Sequence, residues 1–312
     1  MAVSRADIVS AYRLLLGREP EPTLDLDAAT ALYPDVETLR SQMLASAEAG
    51  STLFDALGGR LGGTWVRRPT SFGRQIHLCL SDVAVSKTIL LTGDWEPAVG
   101  RQILALLAPG DTFLDVGANL GWFSLLAGDR FARAGSGQVV AVEANPTLVA
   151  HLGASIVDSG LAAFVTLKPY AVSDRVGLAE MSACAHGNVG GHNIAPAEPG
   201  PRHVVPCLRL DDLLGELPRC DLIKLDIEGA EPLAIRGAVA LLERHRPRVI
   251  MELNRDALTA VAGLTVLATI ELMTALGYRP FAVADGPPRP VSAAEVDERV
   301  GLHGYWDVLF LP

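Results

Sequence analysis

From residue 112 onward, short apolar runs alternate with segments of helical periodicity, and few architectures satisfy that order. The strand-like runs are 112–116, 139–143, 164–168, 221–227, 248–253 and 279–284. Helical stretches lie near 121–129, 146–158, 231–245 and 265–277. Such alternation predicts an α/β fold, a doubly wound and mostly parallel sheet covered on both faces. "YWDVLFLP", 305–312, reads as one more strand after the Pro-rich loop "DGPPRP". The chain before residue 60 has a different character. "ADIVSAYRLLLGREP" sets Ile8, Tyr12, Leu15 and Leu16 at helical spacing, and Pro20 stops it. "DVETLRSQMLASAEAG" repeats the theme to Gly50, and "GGRLGG", 58–63, reads as a hinge. The expected organisation is a helical N-terminal region, 1–62, followed by an α/β domain, 63–312, in which 63–100 leads into the core.

Composition narrows the partners. The 312 residues are 49% hydrophobic and carry a net charge of −10, with no block of Lys or Arg. That disfavours nucleic acid or an anionic membrane as the main partner. The most apolar segment, "ALTAVAGLTVLATI" at 257–270, is too short to span a bilayer and reads as loop and buried helix. The N-terminus lacks the basic stretch and apolar run of a signal peptide. Cys79, Cys184, Cys207 and Cys220 form no CxxC pair or metal spacing, which suits reduced thiols in a cytoplasmic protein.

Two strand ends carry ligand signals. In "DTFLDVGANLGWF" a buried strand ends at Asp115, and Gly117 and Gly121 bracket a tight turn before a helix. Glycine lets a backbone approach a ligand closely, and the carboxyl end of a parallel strand is where open α/β sheets bind ligands. In "VVAVEANP" a second strand ends at Glu143, 26 residues after Gly117. An acid there can accept both hydroxyls of a ribose. A dinucleotide fingerprint needs a second glycine where Asn119 stands, and the Asp115 carboxylate repels phosphate. Both facts favour S-adenosylmethionine, which carries a sulfonium, an ammonium and a ribose. An NAD(P)-dependent oxidoreductase and a non-catalytic Rossmann-like binding module are the alternatives.

The stretch "DLIKLDIEGAEP", 221–232, threads charges through an apolar run. Side chains alternate along a strand, so Lys224 and Asp226 share one face and Ile223 and Leu225 the other. A buried Lys224 needs a partner, and Asp226 and Asp115 are the candidates. Such a pair either fixes the strand or belongs to the site. Glu231 and Pro232 open the next helix.

"FLDVGANLGWFSLLAG" resembles the first motif of class I S-adenosylmethionine-dependent methyltransferases. "LIKLDIEGAEPLAIRGA", "VIMELN" and the lead-in "GDWEP", 93–97, are similar to the FkbM-type family in particular, over roughly residues 90–285. The resemblance implies a Rossmann-like class I domain and O-methylation of sugar, polyketide or other natural-product hydroxyls. It also implies that Asp115, Gly117, Ala118, Asn119 and Gly121 surround the methionine end of the cofactor. Glu143 and Ala144 would lie at the ribose, Tyr170 and Ala171 near the adenine, and Asp226 where cofactor and acceptor meet.

An aliphatic hydroxyl needs its proton removed as it attacks, by a general base or with help from a metal. Candidate bases are His186 and His192 in the loop "CAHGNVGGHNIAP", and Asp226 or Glu228 if desolvation raises its pKa. Asp226, Glu252 and Asn254 end adjacent strands as three oxygen ligands, which suits Mg2+ or another divalent cation. "AYRLLLGREPEP" resembles a short helical module found beside bacterial polysaccharide and glycosylation enzymes, which points the acceptor toward a sugar or glycan. The other reading of that segment is a helical cap or homodimer surface.

Overall fold

The computed structural model describes residues 2–44, 46–58, 63–182, 202–283 and 286–312. Contacts divide the chain into two compact units. The first comprises Met1–Trp65 and Cys79–Gly93. Its helices are α1 (Arg5–Ala11), α2 (Leu26–Ala31), α3 (Val36–Leu44), α4 (Ala47–Gly58) and α5 (Val85–Thr92). Ser4 opens α1 reciprocally: its hydroxyl accepts from the Asp7 N–H, and the Asp7 carboxylate accepts from the Ser4 N–H. One π-helical turn, Tyr12–Leu16, follows, and Gly17 at φ 69° ends it three residues short of Pro20. The single helix expected up to Gly50 is two helices. Ser46 accepts a hydrogen bond from the Ala49 N–H at 3.2 Å and so starts α4 afresh. Ile8, Leu16, Ala29, Leu39, Met43 and Ala49 form the core of this unit. Helix α5, which the sequence pattern assigned to the lead-in, groups with these helices.

The second unit comprises Val66–Leu78 and Asp94–Pro312. A hairpin of β1 (Trp65–Pro69) and β2 (Gln75–Cys79) comes first. Next are α6 (Pro97–Leu106), β3 (Thr112–Val116), α7 (Trp122–Ala134), β4 (Gln138–Val142), α8 (Pro146–Asp158) and β5 (Val165–Lys168). Then come β6 (Ala171–Val172), β7 (Gly177–Ser182), β8 (Arg202–Leu208), α9 (Leu210–Leu214) and β9 (Leu222–Leu225). The rest is α10 (Glu231–Arg236), α11 (Val239–His245), β10 (Arg248–Asn254), α12 (Arg255–Ala262), α13 (Val266–Ala275), β11 (Arg279–Ala282), β12 (Arg289–Pro290), α14 (Ala293–His303) and β13 (Tyr305–Leu311).

The main sheet has the order β12-β11-β13-β10-β9-β3-β4-β5. Strands β10, β9, β3, β4 and β5 run parallel, and β13 inserts antiparallel between β10 and β11. The order runs outward one way from β3 and the other way from β9, so the topological switch point lies between those two strands. Every residue of β3 and β9 is buried, as expected of central parallel strands. Val116, Ile223, Leu225, Met251 and Leu253 pack with Ile235 and Leu242 into the largest core.

Three differences from the sequence pattern have physical causes. Strand β9 ends at Leu225, two residues before the apolar run does, because Glu228 (φ 54°) and Gly229 (φ 96°) turn the chain sharply. Strands β6, β8 and β7 form a separate three-stranded sheet, which the two-residue β6 could not announce by periodicity. Helix α14 lies beyond the Pro-rich loop, capped by the Ser292 hydroxyl accepting from the Glu295 N–H at 3.1 Å. Among the described residues no single helix is long and apolar enough to cross a membrane. Helices α12 and α13 reach that length only jointly, across a 76° bend.

The β3 and β9 ends touch backbone to backbone. Gly117 has φ 82°, and a Cβ placed on it would lie 1.7 Å from the Asp226 carbonyl oxygen. Gly110 has a similar φ of 85° but open space where its Cβ would be. Gly110→Ala should therefore cost about 1–2 kcal/mol, the left-handed penalty alone, and Gly117→Ala more than ~3 kcal/mol. Urea midpoints compare them, and equal losses would refute the close-approach argument.

Candidate active site

The first half of the site is built on the tips of β3, β4 and β5. The Gly117 and Ala118 N–H groups donate to the Val142 carbonyl at 2.9 and 3.0 Å, which folds the glycine turn over the end of β4. Asn119 takes a left-handed φ of 53°, and its N–H donates to Glu143 Oε2 at 2.8 Å. Glu143 Oε1 accepts from the Asn145 N–H, also at 2.8 Å. Glu143 thus ties both strand-end loops together while each oxygen keeps acceptor capacity for a ligand hydroxyl. Burial pushes its pKa up, and the N–H groups of Asn145, Asn119 and Ala144 oppose that rise. The Glu143 N–H donates to the Lys168 carbonyl at 3.1 Å, drawing in the tip of β5. There Tyr170 is half-buried, and Ala171 is buried in a small cluster against Ala144.

Asp115 lies beneath the turn, 1% exposed. Its Oδ2 accepts from the Ser124 hydroxyl at 2.5 Å, and its Oδ1 is buried without a partner. Burial raises the Asp115 pKa, while the charge of Lys224 and the Ser124 hydrogen bond oppose the rise. Asn119 Oδ1 is likewise buried without a partner. Two orphaned acceptors beside a glycine turn, with a carboxylate at the next strand end, fit a cofactor bearing an ammonium and a ribose.

The second half surrounds Lys224, which is 3% exposed at the centre of the sheet. Its Nζ donates to Asp226 Oδ2 at 2.6 Å and lies 4.9 Å from the Phe123 ring centroid. Burial opposes the charge of Lys224, yet Asp226, Glu96, Asp115 and Asp307 outweigh burial and hold its pKa above the ordinary lysine value. Asp226 is half-buried at the carboxyl end of β9. Glu252 and Asp307 stand directly opposite each other on β10 and β13. Directly paired residues of an antiparallel ladder share a face, so the two carboxyl groups crowd one another. Burial first, then Asp226 and Asp307, pushes the Glu252 pKa far up. Burial and Asp226 likewise raise Asp307, against the pull of Lys224. Glu96 precedes Pro97 at φ 41°, its Oε2 buried without a partner, and burial raises its pKa too. Tyr305, exposed at the rim of β13, feels Glu96, Glu252, Asp307 and Asp226.

Glu228 is half-buried in the loop after β9, with its pKa pushed up to about 7 by burial and by the charge of Asp226. Glu231 begins α10 but also folds back. Its Oε1 accepts from the Ile227 and Gly229 N–H groups at 2.8 and 3.3 Å, which fixes the loop carrying Glu228. Burial pushes Glu231 up to about 8.

The structure therefore gathers Asp115, Gly117, Ala118, Asn119, Gly121 and Glu143 at one side of the switch point, and Asp226 and Glu228 at the other. His186 and His192 lie outside the described residues. The expected metal set does not assemble. Asn254 Oδ1 caps α12 by accepting from the Ala257 N–H at 3.2 Å, and Asp226 is engaged by Lys224. Among the described residues no three His, Cys, Asp or Glu side chains form a metal cluster. Sequence reasoning missed Glu96, Asp307 and Tyr305. The acid before a proline in "GDWEP" and the acid inside the apolar run "YWDVLFLP" were the available signals.

Glu228 and Glu231 hold protons in the folded state at pH values where the unfolded chain, with glutamates near ~4.3, has lost them. The folded state then binds more protons than the unfolded one, so stability falls as pH rises from about 5 to about 8. Lys224→Met removes the one cation of the cluster and should cost ~3–5 kcal/mol, steepening that fall. Urea unfolding across this pH range tests both, and a flat profile in the variant would contradict the electrostatic role of Lys224.

A family model described as "Methyltransferase FkbM domain" matches residues 115–280, more than half of the chain. Among solved structures, a methyltransferase FkbM from Methylobacillus flagellatus KT is 14% identical, with 98% of this chain and 60% of that chain covered, at TM-score 0.40. A precorrin-6y C5,15-methyltransferase from Geobacter metallireducens GS-15 is 14% identical over 69% of this chain and 87% of that one, at TM-score 0.39. A tRNA (uracil-54, C5)-methyltransferase from Pyrococcus abyssi, in complex with S-adenosyl-L-homocysteine, is 13% identical over 80% of this chain and 45% of that one, at TM-score 0.40. A search of curated protein sequences finds no match. With its parallel sheet reversing between β3 and β9 and the FkbM domain spanning 115–280, the chain has the class I S-adenosylmethionine-dependent methyltransferase fold and belongs to the FkbM methyltransferase family.

Proposed function

We propose that this protein transfers a methyl group from S-adenosylmethionine to a hydroxyl of a sugar, glycan or glycosylated natural product. The observation that carries the reading is the carboxyl-rich wall at the ends of β9, β10 and β13, next to the glycine turn of β3. A hydroxyl acceptor must surrender a proton, and a carboxyl group whose pKa lies near the working pH accepts it best. Glu228, pushed up to about 7, meets that requirement. The cofactor, when bound, supplies an electrophilic methyl on a sulfonium. Asp115 and Asn119 offer buried oxygens to its ammonium end, and Glu143 accepts from the ribose hydroxyls. Lys224 fixes the Asp226 carboxylate, which orients the acceptor. The likeness of "AYRLLLGREPEP" to a glycosylation-associated module supports a sugar. Cys79, Cys207 and Cys220 are free and buried, which suits a reducing cytoplasm.

No divalent cation enters this reading, since Asp226 and Asn254 have other partners. Incubation with isotopically methyl-labelled cofactor and a panel of free and activated sugars, read by mass spectrometry, tests it. The label should appear on a sugar oxygen, and a chelator should leave the rate unchanged. Label on nitrogen or carbon acceptors alone, or none in any product, would refute the hydroxyl assignment. A chelator-sensitive rate would restore the metal.

A further inference from the structure

Asp115 and Lys224 are neighbours that share no hydrogen bond. They are partners in the parallel register of β3 and β9, so their side chains leave the sheet on the same face. Both are almost wholly buried. A buried acid and a buried base in adjacent strands ordinarily satisfy each other. Here Lys224 Nζ donates instead to Asp226 Oδ2 at 2.6 Å, with the Phe123 ring centroid 4.9 Å away. Asp115 Oδ2 accepts instead from the Ser124 hydroxyl at 2.5 Å. Ser124 is fully buried in the first turn of α7, next to Phe123. A neutral hydroxyl thus engages one oxygen of the acid, and the other, Oδ1, is buried without a partner. Asn119 Oδ1, in the glycine turn that leads into α7, is a second buried oxygen without one. Burying an unpaired carboxylate oxygen is unfavourable, so the two together mark a place built for a charged donor.

We propose that Ser124 is a positioning residue of the cofactor site: its hydroxyl holds Asp115 apart from Lys224, so that Asp115 Oδ1 receives the ammonium group of the cofactor. The proposal rests on the methyltransferase reading and adds the side chain that keeps this acid available. An ammonium group carries three donors, enough for Lys224 to bond Asp115 and Asp226 together. Such a bond would cancel the charge of Asp115 and with it the attraction for a ligand cation. A hydroxyl donor fixes the carboxylate without cancelling its charge. The Ser124 bond also spans only nine residues, from the end of β3 to the start of α7. The glycine turn lies between its two ends, so the bond that orients the acid also ties the turn's flanks together. Phe123, one residue earlier on α7, lies against the ammonium of Lys224. The first turn of α7 therefore keeps the lysine on the acceptor side and the acid on the cofactor side.

Calorimetric affinity for S-adenosylhomocysteine and for its desamino analogue, which carries hydrogen in place of the ammonium group, tests this without an acceptor. The parent should prefer S-adenosylhomocysteine by about tenfold or more, the worth of a charged hydrogen bond. Ser124→Ala should lose most of that preference, by weaker binding of S-adenosylhomocysteine with the affinity for the desamino analogue unchanged. Asp115→Asn should lose the preference too, and adding Ser124→Ala to it should change nothing further. Ser124→Thr keeps a hydroxyl and should keep the preference, and its loss there would count against the proposal. A merely structural Ser124 would weaken both ligands alike when changed to alanine. That result, equal binding of the two ligands by the parent, or a Ser124→Ala effect that persists beside Asp115→Asn would overturn the proposal while leaving the methyltransferase reading intact. Failure of the parent to bind either ligand would overturn the two together.

Discussion

A buried ammonium holds this site together. Lys224 lies in the middle of the sheet, where an unpaired charge could not be kept, and it is kept because Asp226, Glu96, Asp115 and Asp307 converge on it. These acids come from β9, the turn before α6, β3 and β13, so one side chain registers four chain segments at once. The carboxylates in turn tolerate each other only because of Lys224. The same crowding, added to burial, pushes Glu228 up to about 7, and so makes a proton acceptor available near neutral pH.

The second constraint is steric. Gly117 meets the Asp226 carbonyl so closely that no side chain fits between β3 and β9 at their tips. Gly229 does the same against the Ala257 carbonyl. The Gly117 contact brings the tips of β3 and β9 together at the switch point, and the Gly229 contact seats the loop after β9 against α12. The division of labour follows from sheet order. β3, β4 and β5 provide the turn, Glu143 and Tyr170, while β9, β10 and β13 provide the acids.

Legibility in the sequence followed chain locality. Asp115, Gly117 and Glu143 were readable because each closes an apolar run of strand length, and a glycine turn or helix start comes next. Asp226 was readable for the same reason, and its pairing with Lys224 follows from two-residue alternation. Asp307 was not, because its meaning depends on β13 inserting antiparallel beside β10, a pairing between distant segments that no local pattern encodes, and Glu96 was not, because it lies in a turn before α6, outside any strand pattern. Asn254 misled in the opposite direction. Its position at a strand end suggested a ligand, but a strand end here is also a helix start, and the side chain caps α12. Helix α14 was legible in principle, since Ser292 and Glu295 have the spacing of a capping signal, but the Pro-rich loop beside it dominated the reading.

The central claim is that the β3 and β4 tips seat the cofactor, with Glu143 as the residue that both closes the loops and receives the ribose. Calorimetric affinity for S-adenosylhomocysteine in the parent protein and in Glu143→Gln tests it most directly. The account predicts saturable 1:1 binding by the parent and at least about tenfold weaker binding by the variant, the worth of a lost charged hydrogen bond. Undiminished affinity in Glu143→Gln, or no binding by the parent, would contradict it.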